Sequence, residues 1–198
     1  MGFLIEILTI RPTRAKWFGY LLLVLFAAHL HANATEPLLS EYKIKVALLY
    51  KLTRFVEWPP ATESATPESF NICVLGRDDF GSNLNVLEER KVNGIAIAIR
   101  HYSYSTSVES SCQLLFVSDS KAAFMKSILH TFKNQPILTV SDARNFAKDG
   151  GIIGLVLGQK HIGFEINLDA AHAAGLKISA PLLELATVIH VHNFKDMP

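Results

Sequence analysis

Apolar and polar positions recur along this chain with two different periods, and the switches between them outline its elements. From about Ser40 to Trp58, Ile44, Ala47, Leu48, Leu52, Phe55 and Val56 fall on one helical arc, with Lys43, Arg54 and Glu57 opposite. Lys45 and Lys51 intrude on that arc and are expected to snorkel at its edge. Pro59 and Pro60 lack amide hydrogens and stop the helix, after which Ala61–Ser69 reads as an exposed loop. Four short apolar runs then read as buried strands: FNICVLG from Phe70, IAIAIRHY from Ile95, CQLLFVS from Cys112 and PILTVSD from Pro136. Between them DFGSNLNVLEER suggests a helix with Leu84 and Leu87 inward. SDSKAAFMKSILHTF suggests another, capped by the oxygens of Ser118, Asp119 and Ser120. ARNFAKDGG reads as a short helix ending in glycine. IIGLVLG and HIGFEIN flank Gly158, Gln159 and Lys160 as a hairpin, and LDAAHAAGL and APLLELATVIHV read as closing helices. Strands alternating with helices predict a single α/β domain. Its central sheet is mixed but mostly parallel, flanked by helices and completed by the C-terminal β-hairpin and helices.

The first thirty-four residues follow another rule. A basic lead of Arg11, Arg14 and Lys16 precedes the 14-residue apolar run Trp17–Leu30, and Ala32, Asn33 and Ala34 give small-x-small. A spanning helix needs roughly 20 apolar residues, so the pattern predicts a signal peptide over 1–34, cut between Ala34 and Thr35, rather than an uncleaved anchor. No cysteine follows the cut, so no lipid anchor is expected there. The domain would then be residues 35–198, with no second long apolar run. Removing Arg11, Arg14, Lys16 and Glu6 leaves 16 basic and 17 acidic residues. That balance provides no basic field for nucleic acid or anionic lipid.

Export changes the reading of Cys73 and Cys112, the only two cysteines. An even pair in an oxidising compartment reads as a disulfide, with two buried free thiols as the rival. Neither CxxC spacing nor a zinc ligand set is present.

Other chemistry is sparse. CVLGRDDFG lies at a strand-to-helix turn, where α/β sheets bind phosphate, but has neither GxGxxG nor Walker spacing. The bland reading is a tight turn that needs Gly76, with Asp78 or Asp79 capping the next helix; a ligand pocket there stays open. His101, His130, His161, His172, His190 and His192 show no HExxH spacing, and no GxSxG elbow occurs. No catalytic residue, metal or cofactor is therefore assigned. Glu165 sits between Phe164 and Ile166 on a strand and faces opposite to both. It is either a solvent-facing carboxylate or a part-buried acid paired with Lys177 or a nearby arginine.

In order, KVALLYKLTRFVEWP, FNICVLGRDDFG, CQLLFVS, PILTVSD with FAKDGGIIGLV, and IGFEINLDAAHAAGLKISAPLLELA resemble the YfiR-like family of exported bacterial proteins, over roughly Tyr42 to Ala186. The resemblance implies a non-enzymatic periplasmic regulator in a Gram-negative cell, acting as a dimer without cofactor. A relative of this kind restrains an inner-membrane diguanylate cyclase through its periplasmic region, lowering cyclic di-GMP, and is sequestered by an OmpA-like outer-membrane lipoprotein. The family's paired cysteines match Cys73 and Cys112; a second pair carried by some members is absent. Leu49-Tyr50-Lys51-Leu52 stands where the family commonly has Leu-Tyr-Asn-Phe, and Ser179-Ala180-Pro181 where it often has Ser-Ser-Lys. The scaffold thus carries over better than any partner surface. Phe55, Trp58, Gly76 and Glu165 are the candidate partner or ligand positions. The alternative function is a periplasmic small-molecule sensor with a pocket near the Gly76 turn or against Trp58.

Overall fold

The computed structural model describes residues 36–60, 68–77, 80–158 and 162–189. The expected cleavage site at Ala34 and Thr35, the capping role of Asp78 or Asp79, most of the Ala61–Ser69 loop and the tail from His190 lie outside them. The chain divides at Ser40; the account below concerns the unit Glu41–Pro198.

Helix α1 (Glu36–Phe55) runs directly into β1 (Val56–Glu57). The helix ends three residues earlier than the prolines require, because Val56 and Glu57 pair antiparallel with Ile178 and Lys177 of β9 (Lys177–Ile178). The buried face of α1 is also rotated from the expected arc. Val46, Leu49 and Leu52 are buried together with Lys45 and Thr53, whereas Ile44, Ala47 and Phe55 are exposed. The buried polar members satisfy themselves: Thr53 Oγ1 donates to the Tyr50 carbonyl at 2.7 Å, and Lys45 finds carboxylates, as described below.

The main sheet is eight-stranded, in the order β10-β8-β7-β6-β5-β2-β4-β3. Its strands are β2 (Phe70–Leu75), β3 (Lys91–Val92), β4 (Ile95–Tyr102), β5 (Cys112–Val117), β6 (Leu138–Ser141), β7 (Ile153–Leu157), β8 (Ile162–Asn167) and β10 (Thr187–Ile189). Strands β4, β2, β5, β6 and β7 are mutually parallel, while β7 and β8 form the expected antiparallel hairpin. A second hairpin joins β3 to β4, its turn set by Asn93 and Gly94, both at positive φ.

Side chains alternate across the sheet. Ile72 and Val74 of β2 and Leu114 and Phe116 of β5 pack with α1 and with Leu84 and Leu87. Cys73, Leu75, Leu115 and Val117 face the other way, onto Met125, Ile128, Leu129 and Phe132 of α2 (Met125–Phe132). Cys73 and Cys112 meet in that second layer as a disulfide, their Cα atoms 6.0 Å apart, which removes the free-thiol alternative. The layered α/β architecture and mixed, mostly parallel sheet match the expectation.

Four helical expectations change. The run capped by Ser118 opens as a 3-10 turn, Asp119–Phe124, and only Met125–Phe132 is α-helical. Gly81–Leu87 is a 3-10 turn, though Leu84 and Leu87 point inward as anticipated. Residues 143–151 form a series of turns, because Asn145 adopts φ 61°, a left-handed conformation that interrupts an α-helix. The closing helix is only α4 (Ala180–Glu184); Thr187–Ile189 instead extends the sheet as β10, parallel to β8. The helix α3 (Leu168–Ala173) is as expected, capped by Asn167, whose side chain accepts from the Ala170 amide.

Candidate functional site

The order of strands reverses at β2. The chain leaves β2 for β4 on one side, then returns across it to β5, β6 and β7 on the other. In open α/β sheets such a reversal opens a crevice beyond the carboxyl ends of the strands, because successive connections depart in opposite directions. Here those ends are Gly76 and Arg77 after β2, Ser118–Ser120 after β5, and Asp142 after β6. All of these but Gly76 line a cavity of about 410 Å³ walled further by Tyr42, Phe80 and Phe116.

Gly76 is needed at the lip. Its φ is +100°, and a Cβ there would lie 2.7 Å from Ser120 Oγ and 2.9 Å from Lys121 Cγ. The close approach lets hydroxyls splice the two strand ends together. Ser118 Oγ donates to the Arg77 carbonyl. Ser120 Oγ donates to the same oxygen at 3.2 Å and accepts from the Arg77 amide at 3.0 Å. The Ser118 oxygen also accepts from the Ser120 amide at 3.2 Å, as the capping pattern predicts. On the next strand Ser141 Oγ donates to the Val117 carbonyl at 2.6 Å and accepts from the Ala143 amide at 3.0 Å.

Beneath the cavity lies a charge cluster that the hydropathy pattern missed. Lys45 is only 2% exposed, so it does not snorkel. Its Nζ lies 2.7 Å from Glu41 Oε1 and 2.7 Å from Asp142 Oδ2. Burial pushes this ammonium down, but the hydrogen bonds and charges of Asp142 and Glu41 outweigh it and hold the group above its ordinary 10.5. The Lys45 ammonium also lies 5.1 Å from the Tyr42 ring centroid. The i,i+4 spacing of Glu41 and Lys45 was the available sequence signal; Asp142, 97 residues away, gave none.

The four positions singled out from sequence do not converge. Phe55 is exposed on the outer side of α1, as is Ile44. Trp58 packs at the other end of β2 from Gly76, roughly 20 Å away by strand rise, edge-on to Phe70 at 5.2 Å. Its Nε1 donates to the Gln113 carbonyl at 3.1 Å, and the Gln113 side chain accepts from the Asn71 amide at 2.6 Å, where the β2–β5 register shifts. Trp58 therefore closes the amino ends of two central strands. Trp58→Ala is expected to cost about 2 kcal/mol, below the range for a fully buried tryptophan because the residue is only partly buried. Chemical denaturation measures it, and an unchanged midpoint would make Trp58 a contact surface rather than a packing element. Glu165 is part-buried, and Lys148 lies 3.5 Å from its carboxylate, rather than Lys177 or an arginine.

A second cavity of about 400 Å³ lies between α2 and α3, with Leu129, Ile152 and Ala170 among its walls and His130, Lys133 and Lys148 around it. Among the described residues no group of three or more His, Cys, Asp or Glu is placed to hold a metal, and no helix is long and apolar enough to cross a membrane.

The fold and site define a layered α/β domain that presents a polar crevice at its switch point, the build of a binding domain. The chain matches the YfiR/HmsC-like family (DUF4154) over residues 42–187 and belongs to that family. The family is one of periplasmic regulators of cyclic di-GMP signalling rather than of catalysts. Among solved structures the chain is similar to a conserved domain protein from Vibrio cholerae O1 biovar El Tor, with a TM-score of 0.50 and 13% identity. The match covers 74% of this chain and 59% of that one, and the likeness is one of fold.

Proposed function

We propose that this chain is a non-enzymatic periplasmic protein that restrains an inner-membrane diguanylate cyclase through the cyclase's periplasmic region, lowering cyclic di-GMP. The observation that carries the reading is the family match across residues 42–187, nearly the whole described fold. In this reading the chain is exported by a cleaved signal peptide over 1–34, works as a homodimer, and is relieved by an OmpA-like outer-membrane lipoprotein. The exposed side of α1, with Ile44 and Phe55 eleven residues apart and so nearly in line, offers apolar surface for such a partner. Deleting the gene in a strain that carries the cyclase is expected to raise cyclic di-GMP and biofilm, measured by nucleotide extraction and surface staining. Unchanged levels would overturn the proposal.

A second reading, a small-molecule sensor, is favoured by the cavity at the carboxyl ends of β2, β5 and β6. The two are compatible in one regulator, since a ligand can shift the equilibrium of a binding protein only by its differential affinity for two states.

A further inference from the structure

We propose that the cavity between α2 and α3 binds a small organic anion, a carboxylate carrying a compact apolar body. This cavity is not the one behind the sensor reading, and the inference stands apart from that reading.

The wall formed by α2 supplies the first argument. Lys126, His130 and Lys133 all line the cavity, and all three are exposed. Spaced by four and then three residues, they form one row along the helix, roughly 10 Å long by helix rise. The α2 sequence MKSILHTF contains no acidic residue. Among the described residues none of the three basic groups holds an ion pair. A merely solvated helix face more often mixes both signs of charge. The helix dipole accounts for His130 and Lys133 at the end of α2, but not for Lys126 in its first turn, where a cation is disfavoured.

The other wall sets the orientation. Asp149 and Asp169 line it, from the turns 143–151 and the start of α3. Its lysine, Lys148, is engaged by Glu165 at 3.5 Å. An anionic head is therefore turned away from that wall and toward the α2 row.

Between the walls the accessible lining is mostly carbon. Leu129 is 8% exposed, Ala170 is half-buried and Ala173 is exposed. The stems of Lys126 and Lys133 add methylenes to the same surface. The buried polar side chains behind it are already engaged. Thr139 Oγ1 accepts from the Ile152 amide at 3.0 Å. Asn167 donates to the Ala147 carbonyl and accepts from the Ala170 amide. The interior thus offers apolar contact and the α2 rim offers charge. A volume of about 400 Å³ suits a body of ring size rather than a bare ion.

The test titrates phenylacetate, phenethyl alcohol and phenethylamine into the exported protein near neutral pH, read by NMR shifts and thermal shift. Phenylacetate is expected to bind one per chain and raise Tm, with the alcohol about tenfold weaker and the amine silent. Lys126→Gln and Lys133→Gln should each weaken phenylacetate about threefold. Both positions are exposed, so these variants keep the fold. Ala173→Leu narrows the cavity with every charge in place and should weaken binding about tenfold. Nuclear Overhauser contacts are expected from the phenylacetate ring to the methyls of Leu129, Ala170 and Ala173. Contacts elsewhere, equal binding of acid and alcohol, or indifference to Ala173→Leu overturns the proposal. So does silence of all three probes, or binding of the amine alone. None of these results bears on the cavity at the β2 and β5 ends, nor on cyclase restraint, which the deletion measures.

Discussion

Lys45→Met is expected to destabilise the domain by about 3 kcal/mol and to lower Tm by about 10 °C. The methionine would fill much of the space, so the loss is electrostatic: Glu41 and Asp142 keep their charges and lose the ammonium 2.7 Å from each. Removing one partner of a fully buried pair costs roughly 3–5 kcal/mol. The low end applies because the carboxylate side chains are 30% and 18% exposed and regain some water. Adding Asp142→Asn should return part of the loss, so the double variant is expected to be more stable than the summed single effects. Urea denaturation of the four proteins in the cycle measures this; strict additivity would show that Lys45 and Asp142 are not coupled.

The same group sets a pH limit. Its folded pKa is raised above the ordinary 10.5, so the stability it contributes is fully present below about pH 10.5 and is lost as pH rises through the folded value. The wild type should therefore lose stability above that pH by a component that Lys45→Met lacks.

Opening the Cys73–Cys112 disulfide should have an effect of about 4 kcal/mol. The bridge closes a loop of 39 residues that contains β4 and the start of β5, and in the chain-entropy model it acts by restricting the unfolded chain. Both sulfurs sit in the layer between the sheet and α2, at 0% and 2% exposure, so a reductant reaches them only when the fold opens. The measurement compares oxidised and reduced protein in urea. A difference below about 1 kcal/mol would mean that the reduced chain is already held compact by other contacts.

The strands were readable from sequence where burial on both faces of a parallel sheet writes an unbroken apolar run, as in Phe70–Leu75 and Cys112–Val117. The hairpin of β7 and β8 was readable for a related reason: a glycine-containing turn separates two apolar segments. Elements decided by distant neighbours were not. Val56 and Glu57 look like the last turn of a helix until Lys177 and Ile178 pair with them. Thr187–Ile189 carries β-branched residues, yet only β8 beside it makes it a strand. The buried face of α1 was misplaced because hydropathy counts Lys45 as polar, although two carboxylates make its burial favourable. Of the candidate site, the Gly76 turn was visible as a strand-to-helix junction. Its partners Ser118, Ser120 and Asp142 come from two other strand ends, and only the parallel order of β2, β5 and β6 assembles them. Trp58 stood out by composition and is a packing residue in the structure.

The small β1–β9 ladder joins Val56 to Ile178, and Lys45 is bonded to a carboxylate 97 residues downstream. Helix α1 therefore leads in synthesis order, yet its polar and ladder partners, Asp142 and β9, lie in the last third of the chain. Closing such long loops is slow relative to local helix formation. If the chain crosses a membrane amino end first, the helix can pack on β2 and β5 before Asp142 and β9 arrive to fix Lys45 and Val56. Its final anchoring then marks completion of translocation, and a chain truncated before Lys177 would leave Val56 and Glu57 without their strand partners.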